Sequence, residues 1–101
     1  MFIYNVTSKI NWPIHDAWIE WMSNEHVPAI LETHCFKHFQ LLKLHEHDDS
    51  EGPTYIAQYF AESKAQYNRY IELFATKFRQ EGITKWGNNC IVFPTLLEVV
   101  K

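Results

Sequence analysis

Two stretches with helical spacing of apolar residues separate four stretches with strand-like alternation, and that order leaves the chain few folds to adopt. Residues 2–10 (FIYNVTSKI) send Phe2, Tyr4 and Val6 to one side and Ile3, Asn5 and Thr7 to the other, as a strand does. Asn11-Trp12-Pro13 forms a turn into a helix, with Pro13 in the first turn and Asp16 near the positive end of the dipole. Ile14, Trp18, Trp21 and Met22 make one apolar stripe; Val27, Ile30 and Leu31 follow at a different angle. Pro28 cannot donate to the Asn24 carbonyl and disfavours helix at Val27. The pattern therefore predicts a helix over about 14–25, a break at His26-Val27-Pro28, and a last turn to about Thr33. Residues 35–46 read as a long second strand, HDDSEGP as a polar turn, and residues 54–61 (TYIAQYFA) as a third strand. The second helix opens on an S-x-x-Q capping box, Ser63 and Gln66. It carries Tyr67, Tyr70, Ile71, Phe74, Ala75 and Phe78 along one face and is predicted to stop at Gly82. Trp86 to Asn89 reads as a loop and residues 90–100 as a final strand, with Pro94 marking an edge strand or a bulge.

The order β-α-β-β-α-β is the split βαβ pattern. The expected class is α+β, ferredoxin-like βαββαβ: a four-stranded antiparallel sheet with two helices on one face. The length of 101 residues fits a single domain over 1–101. Two helices cover only one sheet face. By alternation the other face carries Ile3, Asn5, Thr7, Ile56, Gln58 and Phe60, too apolar for water alone and too polar for a dry core. A second sheet packed over it, enclosing a wet cavity, satisfies both conditions, which predicts a homodimer of the dimeric α/β-barrel kind. Seven Phe, five Tyr and four Trp are more than a core of this size easily hides, so some belong in a pocket or against a partner.

The formal net charge is -3 with His neutral, and no basic stripe exists, which argues against a nucleic-acid partner. Protonating all six His would reverse that charge, so the surface charge depends on pH. Cys35 and Cys90 form no CxxC pair and fit reduced thiols of a cytoplasmic protein. The N-terminal segment has no apolar signal region, and no run approaches the ~18 apolar residues of a membrane span. His34, Cys35 and His38 cross a helix end, and His45-Glu46-His47-Asp48-Asp49 suits only adventitious metal, so no metal site is expected. No cofactor is expected either: three Gly are too few for a phosphate-cradling loop. No Ser or Cys sits in a nucleophile motif.

His26, at the expected helix break, is the candidate catalytic residue, an acid/base group or ligand hydrogen-bonder. Its bland alternative is a helix-terminal His satisfying a carbonyl. Tyr70 has ordinary core spacing, yet a phenol at a cavity wall is a usable donor. Asn5 and Gln58, with Gln40, either orient a ligand or line a solvated sheet face. Together these residues suggest a homodimer that binds a small apolar or aromatic molecule, its catalytic form being a cofactor-independent enzyme acting on an aromatic or apolar carbonyl compound. The alternative is a non-catalytic ligand sensor or interaction module.

The segments IYNVT (3–7), HDAWIEWM with HVP (15–22, 26–28), TYIAQYFAES (54–63) and TLLEV (95–99) resemble a bacterial family called domain of unknown function 4286. The resemblance covers nearly the whole chain and implies a ferredoxin-like fold of the dimeric α/β-barrel kind, with no activity attached. His34 stands where that family usually has Gly before Cys-Phe, a position that implies a left-handed backbone. More loosely, the EHVP segment is similar to the His-x-Pro segment of ethyl-tert-butyl-ether-degradation-like domains, which implies that His26 lines a cavity. The third strand and second helix are similar to the antibiotic-biosynthesis monooxygenase pattern, with Tyr70 where that group often has His. Haem-degrading members of that kind use an Asn on the first strand, matched by Asn5. Phe60 replaces their Trp and no His follows His47, which argues against haem degradation.

Overall fold

Strand β1 (Phe2–Ile10) pairs on both sides, so its alternation decides what each face of the sheet carries. The computed structural model describes residues 1–101. With β2 (His38–Lys43), β3 (Thr54–Ala61) and β4 (Cys90–Glu98) it forms a four-stranded sheet in the order β2-β3-β1-β4, every pair antiparallel. This is the α+β, ferredoxin-like arrangement. Pro94 lies on the edge strand β4 opposite Val6, where a missing N–H is tolerated.

β2 is shorter than its sequence pattern. His34 adopts φ 61, the left-handed conformation implied at that position, and the chain then turns Cys35 and Phe36 into the core before pairing begins. At the other end Glu46, at φ 59, turns the chain into the loop. That loop closes against β1: Ile10 N–H donates to Pro53 O and Trp12 N–H to Glu51 O, both at 3.0 Å. Gly52 is required there, because a Cβ would lie 1.6 Å from the Ile10 carbonyl oxygen.

The first helical region does not break at His26. A short 3-10 turn leads into α1 (His15–Trp21), a π-helical turn over Met22–His26, and α2 (Val27–Leu31). Val27 N–H donates to Met22 O, five residues back. The wider turn admits one extra residue and so eases the clash that Pro28 would make in a regular α-helix. It also explains the phase slip: the buried residues are Trp18, Met22, Val27 and Ile30, and the five-residue step from 22 to 27 spans the π turn.

The second helical region is longer than the sequence pattern predicts. Ser63 caps α3 (Lys64–Leu73), its hydroxyl accepting from Gln66 N–H at 3.2 Å. After a bend at Phe74, α4 (Ala75–Trp86) runs straight through Gly82 and ends at Gly87, at φ 55. Burial of both Phe78 and Trp86 holds the turns on either side of Gly82. No helix is long and apolar enough to cross a membrane.

The helices lie on the face that carries Tyr4, Ala57, Tyr59 and Ala61, and pack against them with Trp18, Met22, Ile30, Tyr70 and Phe78. The opposite face presents His38-Phe60-Ile3-Leu97 in one row and Leu42-Ile56-Thr7-Phe93 in another. Between them runs Gln40-Gln58-Asn5-Thr95.

Candidate functional site

Between α4, the π turn and the β1–β4 side of the sheet lies a cavity of about 230 Å³. The residues that make it come from all three places. Tyr4, Val6 and Ser8 on β1 form part of the floor, with Val92 and Pro94 on β4. Phe78, Arg79, Gly82, Ile83 and Trp86 lie at helical spacing along one stripe of α4 and form a wall. Met22 and His26, the two ends of the π turn, complete it with Trp21. Arg79, Ile83, Val92 and Pro94 are exposed and so mark the mouth.

His26 reaches this cavity because the π turn holds its side chain against the α4 aromatics. Its imidazole stacks on Trp21 at 4.3 Å and 21° and meets Phe78 edge-on at 5.9 Å. Burial pushes its pKa down from 6.5 to about 4, so at neutral pH the ring is uncharged. Nδ1 is buried and makes no hydrogen bond to the protein. Trp86, 9% exposed, likewise leaves its indole N–H buried without a protein acceptor. A buried polar group without a partner forfeits about 1–3 kcal/mol, so two on the wall of one cavity are an unusual expense. The third such atom, His47 Nε2, belongs to the β2–β3 loop.

The other ionisable groups of the lining are held in one state at neutral pH. Burial raises the pKa values of Tyr4 and Tyr70, with Arg79 pulling against it in both. The Cys90 thiol is pushed up to about 11 by burial, partly offset by the Trp18 indole. Tyr70 is packed between Tyr4, at 5.4 Å, and the parallel ring of Phe78, at 6.3 Å.

Among the residues picked out from sequence, His26 and Tyr70 share the cavity lining; Asn5 and Gln58 do not join them. The sheet intervenes. Asn5 and Gln58 project from the open face and bond one another: Gln40 Nε2 donates to Gln58 Oε1 at 2.7 Å, Gln58 Nε2 to Asn5 Oδ1 at 3.0 Å, and Asn5 Nδ2 to Thr95 Oγ1 at 3.2 Å. A single site holding all four residues is therefore corrected to a cavity on one side and an amide ladder on the other. Sequence reasoning missed Arg79, Trp86 and Cys90. The α4 stripe would have signalled Trp86 had the helix not been stopped at Gly82, whereas Arg79 lay within the expected helix, beside its apolar face, with nothing in the spacing to set it apart. No group of three His, Cys, Asp or Glu converges anywhere, so the His34–His38 and His45–Asp49 segments stay dispersed. A separate polar chain joins Asp16, His15 and Tyr55. The His15 ring nitrogens lie 2.9 Å from Asp16 Oδ1 and 2.8 Å from the Tyr55 hydroxyl, and none of the three residues lines the cavity.

The fold is similar to that of a dimeric ferredoxin-like protein from an uncultured marine organism, at a TM-score of 0.71 and 13% identity, covering 99% of this chain and 95% of that one. It is also similar to an EthD family protein from Bacillus halodurans, at a TM-score of 0.68 and 10% identity, covering 99% of this chain and all of the other. At such identities the likeness is one of fold. No curated protein matches the sequence. A family model matches residues 1–100, and the chain belongs to that family, described as Domain of unknown function (DUF4286).

Proposed function

We propose that this protein is a small-molecule binder that works as a homodimer, with the ligand in the cavity between helices and sheet and the second copy on the open sheet face. The buried pair His26 Nδ1 and Trp86 Nε1, neither bonded to protein, carries the first half of the reading. The indole can only donate, and a neutral imidazole nitrogen can donate or accept. Both atoms are shut off from the cavity's open space in this structure, so the pair suits a ligand oxygen, in an otherwise apolar body, toward which one of the two rings turns. Binding is favoured over acid–base catalysis. Efficient proton transfer wants a group titrating near the working pH, whereas His26 lies near 4 and Cys90 near 11. The second half rests on exposed apolar side chains of the open face, Phe93, Leu42 and Leu97, beside amides that already bond one another. Such a face can be covered without stranding its polar groups. One of the structural relatives is described as dimeric, which supports this half.

The binding half is tested by titrating the purified protein with acetophenone, an aromatic ketone, while following the Trp86 indole N–H and the His26 ring by NMR. Both resonances should move and saturate together. Trp86→Phe, which keeps an aromatic ring and removes the donor, should weaken binding about five- to tenfold, the effect of one modest hydrogen bond. Shifts confined to surface residues, or none at all, would sink the cavity reading.

A further inference from the structure

The cavity's lining carries a single permanent charge. Of its 20 lining residues 15 are hydrophobic, none is Asp or Glu, and Arg79 is the one side chain charged at any ordinary pH. The chain has two arginines, and they differ in employment. Arg69 donates to Thr33 O at 3.1 Å and to Cys35 Sγ at 3.2 Å, pinning the turn after α2. Arg79 takes no part in the chain's ion pairs, which join Lys9 to Glu51, His15 to Asp16 and Lys37 to Glu62. It stands at the mouth, one residue after Phe78 on the inner wall, with the Tyr4 hydroxyl beside it. A guanidinium without a carboxylate partner, at the rim of an apolar cavity that holds no acid, selects for an anion.

The geometry points to a ligand class: a small monocarboxylate with an aromatic or branched apolar body. The body lies among Trp21, Tyr70, Phe78 and Trp86, an oxygen of its own faces the His26 Nδ1 and Trp86 Nε1 pair, and the carboxylate meets Arg79 at the mouth; phenylacetate supplies the ring and the charge alone. The volume of about 230 Å³ is below the ~300–1,000 Å³ of sites for drug-sized molecules, so the body is no larger than a substituted ring or a short branched chain. Arg rather than Lys suits the role, because its planar fork matches a carboxylate in two parallel hydrogen bonds. This assignment rests on the cavity being a binding site, and deepens that reading by naming the chemistry of the ligand.

Phenylacetate and phenylacetamide separate the two ideas, since they share a ring and differ in charge. Each is titrated into the whole protein at neutral pH and fixed ionic strength, with the Trp86 and His26 resonances as the readout. Phenylacetate should bind about tenfold more tightly than the amide, and added salt should narrow the gap. Arg79→Gln should bring the two affinities together by weakening the acid alone, and Arg79→Lys should keep part of the preference. Arg79 is exposed, so both variants should fold, and an unchanged melting temperature checks this. Equal binding of acid and amide by the wild type overturns the carboxylate class and leaves the cavity reading standing. A preference for the acid that survives Arg79→Gln removes Arg79 from the site. Failure of both probes to perturb the cavity resonances takes the cavity reading down as well.

Discussion

Stacked on Trp21 and capped by the edge of Phe78, the His26 imidazole has exchanged water for aromatic faces on two sides. No carboxylate lines the cavity to favour the protonated ring, so desolvation decides the outcome and the pKa falls to about 4. This has a consequence for stability. The unfolded chain takes up a proton on His26 as pH falls through 6.5, while the folded chain resists until about 4. Stability contributed by this group is therefore whole above 6.5 and is lost as pH falls toward 4, by about 3 kcal/mol at most. Denaturant unfolding at a series of pH values should show that slope in the wild type and lose most of it in His26→Gln. Only the upper part of the window, above about pH 5, lies clear of the range in which ordinary carboxylates titrate, so the slopes are compared there. Identical slopes in the two proteins would mean that the ring is more hydrated than its packing indicates. The same burial that makes His26 a poor base leaves it a neutral hydrogen-bonding group at neutral pH.

Each helical region departs from its sequence pattern at a residue that ordinarily punctuates helices, and both departures shape the cavity. Pro28 and the slip in the apolar stripe were visible in the sequence, but a break and a π turn produce the same slip. Only the Val27-to-Met22 hydrogen bond distinguishes them, and it depends on packing against the rest of the molecule. Gly82 is the mirror case. A glycine after an apolar stripe reads as a stop, yet here it lies within α4, where it weakens the helix relative to Ala by about 0.5–1 kcal/mol. A Cβ at Gly82 would meet the Trp21 ring at 3.8 Å, an ordinary contact, so sterics of the fold do not demand glycine. The space it leaves belongs to the cavity wall. Gly82→Ala should thus raise the denaturation midpoint, worth about 0.5–1 kcal/mol, while weakening phenylacetate binding several-fold. A variant that gains stability and binds as well as the wild type would show that the missing side chain serves no ligand. Strands β1 over 2–10 and β3 over 54–61, by contrast, were legible to the residue, because a period of two leaves no choice of face once one strand is paired, whereas β2 lost both ends of its expected span to the left-handed turns at His34 and Glu46.

At the scale of the molecule the sheet acts as a partition. One side holds the core and the cavity, and the other holds the two apolar rows and the amide ladder between them. The alternation of β1 and β3 already placed Ile3, Asn5, Thr7, Ile56, Gln58 and Phe60 on a common face. What alternation could not supply was β4, which adds Phe93, Thr95 and Leu97 to that face, or the bonding of the ladder, which turns Asn5 and Gln58 toward each other. On the homodimer reading, a second copy covers this face. Phe93 is the sharpest probe. It is 61% exposed in one chain, lies in the row Leu42-Ile56-Thr7-Phe93, and contributes little to the core behind the sheet. Phe93→Lys would leave the single chain nearly as stable, because exposed substitutions usually shift stability by about 0.5 kcal/mol or less. In a dimer it would bury two unpaired ammonium groups, one from each copy, and each carries a desolvation penalty of several kcal/mol. Sedimentation equilibrium at low micromolar concentration should give about 24 kDa for the wild type, twice the 12.1 kDa chain, and the single-chain mass for the variant. A wild-type monomer at that concentration would remove the barrel-like assembly. Because the partition separates the faces, the monomeric variant should still bind phenylacetate with close to wild-type affinity. Loss of binding together with dimerisation would instead mean that the partner copy holds the cavity in shape.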